Sequence, residues 1–123
     1  MYEVAIRARF AAAHRLDNYG GKCEALHGHN WVVEVGVEGP ELDGVGLLMD
    51  FKVLKTRLHE VLEELDHTLL NDHAHFKTQN PSSERIACYL HGRMKAALAD
   101  PALRVSFVRV WESEDSAATY RLA

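Results

Sequence analysis

Two kinds of hydrophobic periodicity follow one another along this chain, and their order limits the folds that it can adopt. Apolar side chains recur at every second residue from Glu3 to Ala13, and again from about Gly28 to Glu38. A period of two residues predicts half-buried β-strands. The same alternation returns at 104–112, and a short last strand is predicted at about 117–122, so two strands are predicted near each end of the chain.

Helical periodicity occupies the middle of the chain. Apolar residues recur at three- and four-residue steps from about 51 to 65, directly after Asp50, which is a suitable N-cap. A second helix is predicted to start at Asn80-Pro81 and to end before Asp100-Pro101. The segment 66–79 between them is polar and rich in histidine, and we expect it to be irregular.

The order strand, strand, helix, helix, strand, strand indicates an α+β fold with both helices on one face of a four-stranded antiparallel sheet. The 123 residues predict a single domain, residues 1–123. The opposite face of such a sheet needs cover, and a partner subunit is the expected source.

Composition excludes several classes of protein. A formal net charge of −4 argues against a general nucleic-acid binder. The sequence contains no run of about 18 apolar residues, so no transmembrane helix is expected. The first ten residues lack the apolar core of a signal peptide, and two cysteines fit a reducing compartment. We therefore expect a cytoplasmic protein that does not bind membranes.

Histidine is unusually frequent, and three of the eight histidines form a candidate metal site. Residues two apart on a strand point to the same face, so His27 and His29 present two imidazoles side by side. His14, at the end of the preceding strand, reaches them if the two strands pair. Three neutral imidazoles are typical of a catalytic zinc site with an open fourth position. Cys23 is an alternative fourth ligand, which would close the site as a structural one.

Six short motifs occur in a fixed order along nearly the whole chain. They are Phe10-Ala-Ala-Ala-His14-Arg-Leu16, Cys23-x3-His27-Gly-His29-Asn30, Met49-Asp50-Phe51, Leu65-Asp66-His67-Thr68-Leu69-Leu70-Asn71, Asn80-Pro81-Ser82-Ser83-Glu84 and Trp111-Glu112-Ser113. Together they resemble the 6-pyruvoyl and 6-carboxytetrahydropterin synthase family. The resemblance implies a tunnelling fold in which trimers form a barrel, two trimers stack into a homohexamer, and active sites lie at subunit interfaces.

The resemblance also implies an activity. It makes His14, His27 and His29 the ligands of a Zn²⁺ cofactor, and the short spacing from Cys23 to His27 is similar to that of the bacterial 6-carboxytetrahydropterin synthases. These lyases convert 7,8-dihydroneopterin triphosphate to 6-carboxy-5,6,7,8-tetrahydropterin, acetaldehyde and triphosphate, in the pathway to queuosine. A 6-pyruvoyl tetrahydropterin synthase acting on the same substrate and a non-catalytic zinc-binding module remain as alternatives.

Four further residues match functional positions of that family. The resemblance makes Cys23 the catalytic base, Asp66 and His67 an acid/base pair, and Glu112 the anchor of the pterin ring. A carboxylate can accept two hydrogen bonds from the amino and ring N–H edge of a pterin. Each residue also has an ordinary alternative: a buried or metal-binding thiol for Cys23, a helix C-terminus for Asp66 and His67, and a solvated strand end for Glu112.

Other histidines and the second cysteine are expected to be structural or solvated. His73 and His75 form a second His-x-His pair in the irregular segment, and we expect solvent around it. His91 is expected to face solvent from the second helix, and Cys88 to lie in the core. The cations that would bind a triphosphate cannot be chosen from the sequence among Arg7, Arg9, Arg15 and Lys22.

Overall fold

The computed structural model describes residues 1–18 and 25–123. Two short 3-10 helices, at Leu70–Asp72 and Ala74–Phe76, lie between the two α-helices. The α-helices and strands are, in chain order, β1 (Tyr2–His14), β2 (His27–Gly39), α1 (Phe51–Leu62), β3 (Thr68–Leu69), α2 (Ser83–Ala97), β4 (Arg104–Ser113) and β5 (Ser116–Tyr120).

The strands form one sheet in the order β3-β1-β2-β4-β5. The α+β class is confirmed, but the described sheet has five strands rather than four. It is mixed, because β3 runs parallel to β1 through the pairs Ala12↔Thr68 and Ala13↔Leu69. The order is therefore β-β-α-β-α-β-β rather than the predicted order. A two-residue strand is too short to give an alternating pattern, so the sequence did not reveal it.

Both α-helices begin at polar caps. The carboxylate of Asp50 accepts the backbone N–H of Lys52 at 2.8 Å. Helix α1 starts at Phe51, directly after this cap, as predicted. The hydroxyl of Ser82 accepts the backbone N–H of Arg85 and caps α2, which starts at Ser83, just after the predicted start at Asn80-Pro81. Helix α1 ends at Leu62, earlier than its apolar pattern suggested, and a turn that includes a positive φ of 58° at His67 leads from it to β3.

One apolar core lies between the helices and the sheet. The helix-facing strand side chains are buried together with the apolar stripes of α1 and α2, and Trp31, Leu54 and Met94 are fully buried. The indole of Trp31 stacks on Phe10 across the β1–β2 pair, with ring centroids 5.8 Å apart. This layer ends at the last pair of the β1–β2 register, where His14 and His27 lie opposite each other. None of the described helices has the length and apolar character needed to cross a membrane.

Two side chains of α2 differ from expectation. Cys88 is exposed, and His91 is buried with only 4% of its surface accessible. His91 lies one helical turn after the buried Ala87, so the apolar stripe of α2 is wider than the sequence suggested. Its Nε2 lies 3.2 Å from the carbonyl oxygen of Val105, and its ring packs against Tyr120. The hydrogen bond satisfies the polar imidazole inside the core.

The sheet face opposite the helices carries a charged network. The carboxylate of Glu34 lies 3.3 Å from the guanidinium of Arg7 and 3.8 Å from that of Arg109. The same carboxylate accepts the indole N–H of Trp111 at 2.6 Å. The charges of Arg7, Glu34 and Arg109 therefore partner one another within the chain.

Candidate metal centre

Pairing of β1 with β2 brings three histidine side chains together at one end of the sheet. The register places His14 directly opposite His27, and Ala12 opposite His29. His27 and His29 lie on one face because a strand alternates, and His14 joins them across the pair. The ring centroids lie 4.6 to 5.2 Å apart. The proximity that the sequence prediction required is therefore present.

Backbone carbonyls fix the orientation of two of these rings. His14 Nδ1 lies 2.8 Å from the carbonyl oxygen of Pro81, and His27 Nδ1 lies 2.7 Å from that of Ala25. A carbonyl oxygen only accepts, so each Nδ1 carries the proton and each Nε2 of the neutral ring presents a lone pair. Those two Nε2 atoms lie 3.0 Å apart. Two lone pairs at that separation repel each other unless a cation lies between them.

The third histidine has a buried nitrogen without a hydrogen bond. His29 Nε2 is buried and has no hydrogen-bond partner among the described residues. It lies 2.9 Å from Oε1 of Glu112, in a geometry that is not that of a hydrogen bond. An unpaired buried polar atom is costly, and a metal ion in the cluster would satisfy it.

Glu112 completes a group of four possible ligands. One ligand atom from each of His14, His27, His29 and Glu112 lies within 4.8 Å of all the others. Three imidazole nitrogens and one carboxylate oxygen suit a tetrahedral divalent cation such as Zn²⁺. The residues present therefore fit a bound divalent metal, while the identity of the metal stays a prediction.

Burial also prepares the imidazoles for a metal. It lowers the pKa of His14 below its usual value, against the opposing effect of the Pro81 carbonyl. Burial likewise lowers the pKa of His29, although the negative charge of Glu112 acts in the other direction. A lowered pKa keeps these rings neutral near pH 7, which is the form that binds metal.

A pocket of about 410 Å³ opens beside Glu112. It is lined by Ser83, Glu84 and Glu112 together with residues 116–119 of β5. The buried hydroxyl of Ser83 donates to Oε2 of Glu112 at 3.1 Å. The volume lies within the usual range of small-molecule sites, and Glu112 is thus shared between this pocket and the histidine cluster.

Asp66 and His67 form a contact pair on the side of β1 that faces β3, away from β2. Oδ1 of Asp66 accepts the backbone N–H of Ala11 at 2.8 Å, and Oδ2 lies 3.0 Å from Nδ1 of His67. The Ala11 N–H, and secondarily His67, lower the pKa of Asp66. The imidazole of His67 is 81% exposed. Within the described chain, no hydrogen bond or ion pair joins this pair to the three metal-site histidines.

Several other predicted residues lie away from the cluster or outside the described part of the chain. Cys23 and Lys22 lie outside the described residues. Arg7 and Arg9 line a second pocket, of about 460 Å³, on the sheet face opposite the helices. Arg15 follows His14 directly, and its Nε lies 3.3 Å from Asp17.

Three supporting residues were not identified from the sequence. Ser83 holds Glu112, the Pro81 carbonyl orients His14, and the fully buried Trp31 packs edge-on against His14 and His29. Ser83 and Pro81 lie within a motif that the sequence already singled out. Their roles depend on contacts with residues distant in sequence, which no local pattern encodes.

A family model described as 6-pyruvoyl tetrahydropterin synthase matches residues 3–123. The chain belongs to the 6-pyruvoyl tetrahydropterin synthase family. This is a family of pterin-processing enzymes with a small-molecule substrate, and the predicted family is confirmed.

Individual relatives cover almost the whole chain. It is 39% identical to the putative 6-carboxy-5,6,7,8-tetrahydropterin synthase of Archaeoglobus fulgidus, over 96% of this chain and 94% of that one. It is 33% identical to the 6-carboxy-5,6,7,8-tetrahydropterin synthase of Bacillus subtilis, over 98% and 85%. The solved 6-pyruvoyl tetrahydropterin synthase of Caenorhabditis elegans superposes with a TM-score of 0.89 at 30% identity, covering 99% and 96%. The tunnelling fold of the family is thus present.

Proposed function

We propose that this protein is a zinc-dependent 6-carboxy-5,6,7,8-tetrahydropterin synthase. Its substrate is 7,8-dihydroneopterin triphosphate, and its products are 6-carboxy-5,6,7,8-tetrahydropterin, acetaldehyde and triphosphate. The observation that carries the proposal is the convergence of three histidine Nε2 atoms and Glu112 beside a ligand-sized pocket. Relatives named as carboxytetrahydropterin synthases, at up to 39% identity, favour this branch of the family.

His14, His27 and His29 hold the Zn²⁺ ion in this proposal. When bound, the metal supplies Lewis acidity that lowers the pKa of the substrate's side-chain hydroxyls and stabilises negative charge next to the carbonyl that forms. The Nδ1–carbonyl contacts of His14 and His27 keep both rings in the metal-binding tautomer. Glu112 binds the amino and N–H edge of the pterin, and Ser83 holds its carboxylate at the pocket.

Proton transfer falls to Cys23, Asp66 and His67. Cys23 removes a proton from the substrate side chain as its thiolate, and His67 moves a proton at its exposed Nε2. Asp66 orients His67 through Nδ1, at 3.0 Å, and is itself fixed by the Ala11 N–H. The exposure of His67 and its separation from the histidine cluster favour a site that a second copy of the chain completes.

The assembly and the biological setting are part of the same proposal. Three chains form a barrel and two barrels stack into a homohexamer, which light scattering coupled to size-exclusion chromatography tests directly. The enzyme works in the cytoplasm as a single-domain protein, residues 1–123, on the pathway to queuosine. The substrate is a small molecule, and the formal net charge of −4 argues against nucleic-acid binding.

The deciding experiment is incubation of the zinc-loaded protein with 7,8-dihydroneopterin triphosphate, followed by mass analysis of the pterin and an acetaldehyde assay. A carboxypterin with equimolar acetaldehyde is expected. The similarity to the C. elegans 6-pyruvoyl synthase makes 6-pyruvoyl tetrahydropterin synthase activity the second candidate function. A pyruvoyl product without acetaldehyde would identify that activity. No turnover by folded, metal-replete protein would instead indicate a non-catalytic zinc-binding module.

Substitution of Cys23 separates its two possible roles. Cys23→Ala is expected to lower the turnover rate by a factor on the order of 100 or more, while one equivalent of zinc is retained. Loss of the zinc together with activity would make Cys23 a ligand rather than a base. Cys88→Ala, at the exposed second cysteine, is the matched control and should leave both quantities unchanged.

A further inference from the structure

The carboxylate of Glu112 faces two different sites at once. Its Oε1 lies 2.9 Å from His29 Nε2 and 3.9 Å from His14 Nε2, inside the histidine cluster. Its Oε2 accepts the hydroxyl of the buried Ser83 at 3.1 Å. The side chain also forms part of the wall of the 410 Å³ pocket. One carboxylate therefore bridges the metal centre and the ligand pocket.

These two positions compete for the same oxygen. A divalent ion held by the three imidazoles has Oε1 of Glu112 within reach as its fourth ligand. Bidentate recognition of a pterin edge needs both oxygens to accept parallel N–H bonds from the pocket side. A carboxylate that coordinates a metal ion is also a weaker hydrogen-bond acceptor. Binding of the metal by Glu112 and full recognition of a pterin by Glu112 thus oppose each other.

The regular strand pairing is interrupted at Glu112. The pairing of β4 with β5 passes from Trp111↔Ala117 to Ser113↔Ser116, so Glu112 lies at a bulge without a regular partner. Bulges occur next to functional sites, where they redirect a side chain. The side chain of Glu112 is also partly accessible, with 33% of its surface exposed, so it is not fully enclosed by its neighbours.

Resting on the pterin-binding function proposed above, we propose that Glu112 exchanges partners: it is the fourth metal ligand in the free enzyme, and a bound pterin draws it away and opens that coordination position. The position becomes available only when a pterin ring is seated. A ligand with side-chain hydroxyls fills the position itself, whereas a bare pterin leaves it to water. The exchange therefore discriminates in favour of ligands that carry both a pterin ring and a hydroxylated side chain.

Linkage fixes the sign of the effects. A bare pterin, without a side chain at C6, weakens metal binding, and the metal weakens the binding of the bare pterin by the same factor. Coupling of this kind between two sites usually amounts to about 5- to 150-fold. Dihydroneopterin, which supplies hydroxyls to the metal, is expected to bind the metal-loaded protein more tightly than the metal-free protein. The two ligands therefore respond to the metal in opposite directions.

The test uses the full chain loaded with Co²⁺, whose visible absorption reports its ligands. Bare pterin is expected to change the Co²⁺ bands of the wild-type protein. The ligand-free Glu112→Gln variant is expected to show those changed bands already and to bind Co²⁺ at least about fivefold more weakly. The Glu114→Gln variant, at an exposed carboxylate two residues away, is the matched control and should behave as wild type.

Affinity measurements by calorimetry distinguish the failure of this proposal from the failure of the proposed function. If bare pterin binds the metal-loaded and metal-free proteins equally and leaves the Co²⁺ bands unchanged, Glu112 anchors pterin without ligating the metal. The exchange would then be wrong, although the proposed function would stand. If neither pterin nor dihydroneopterin binds either form, both proposals would be wrong.

Discussion

The chain contains two His-x-His pairs, and they have different surroundings. His27 and His29 lie on β2, where alternation directs both rings to one face beside His14. His73 and His75 lie in a loop, where Nδ1 of His73 accepts the backbone N–H of His75 at 3.1 Å and caps a 3-10 turn. The first pair offers metal ligands, whereas the second pair stabilises a loop.

The two pairs share an aromatic support but differ in what their Nε2 atoms face. Both histidine groups pack on a buried aromatic ring, Trp31 in the first case and Phe76 in the second. The Nε2 atoms of the first group point toward one another. In the second, His73 Nε2 lies 3.4 Å from the hydroxyl of Tyr89, which itself donates to Glu64. A histidine pair thus indicates a metal site only where the backbone aims both rings and a third ligand arrives from another strand.

The largest expected effects come from removing the two aromatic supports. Trp31→Ala and Phe76→Ala should each lower the free energy of unfolding by about 3–5 kcal/mol, because each leaves a cavity in the core. Only Trp31→Ala should also weaken metal binding, since His14 and His29 lose the ring against which they pack. Urea unfolding of the metal-free proteins and metal titration measure the two quantities. An equal loss of metal affinity in Phe76→Ala would contradict the comparison.

A smaller effect is expected from removing one histidine of each pair. His29→Ala should weaken zinc binding by about 100-fold or more, beyond the usual cost of losing an outer-shell partner. His75→Ala is the matched control, and its zinc affinity should equal that of wild type. Competition with a chromophoric chelator provides the measurement. If the His75 variant lost zinc as well, the second pair would have to belong to the metal site.

The smallest effect concerns the polar group around the second pair. Glu64 accepts hydrogen bonds from Arg93 and Tyr89, and the Arg93 bond is the main cause of its lowered pKa. Glu64→Gln should cost about 1 kcal/mol of stability, because the bond to a charged partner is partly exposed. Metal affinity should not change.

The pH dependence gives this prediction a sign. A carboxylate with a lowered pKa stabilises the fold fully above its unfolded pKa of about 4.3, and that contribution is lost as the pH falls through the folded value. Urea unfolding between pH 7 and pH 3 should therefore show the Glu64→Gln and wild-type stabilities converging toward acid. Glu63→Gln, at the preceding residue, should follow the wild-type curve throughout, and a constant difference between Glu64→Gln and wild type would contradict the assignment.

Much of the fold follows from local pattern. Alternation predicted the three long strands β1, β2 and β4, and Asp50 marked the start of α1 correctly. The face on which His91 lies was wrong, because a helical stripe read from apolar residues alone omits a histidine that finds a carbonyl partner inside the core. The strict alternation predicted for 104–112 puts Val105 and Phe107 on the same face of the strand. A bulge in the β2–β4 pairing separates them, so Val105 joins the core while Phe107 lies beneath Arg109.

The sequence by itself determined that His27 and His29 share a face, because side-chain direction along a strand depends only on adjacent backbone dihedral angles. Tertiary structure decided that His14 lies opposite His27 and that Glu112 reaches the same point. It also decided the protonated nitrogen of His14, through the carbonyl of Pro81, 67 residues away. These features depend on strand register and packing, which arise from contacts between distant residues and leave no periodic trace in the sequence.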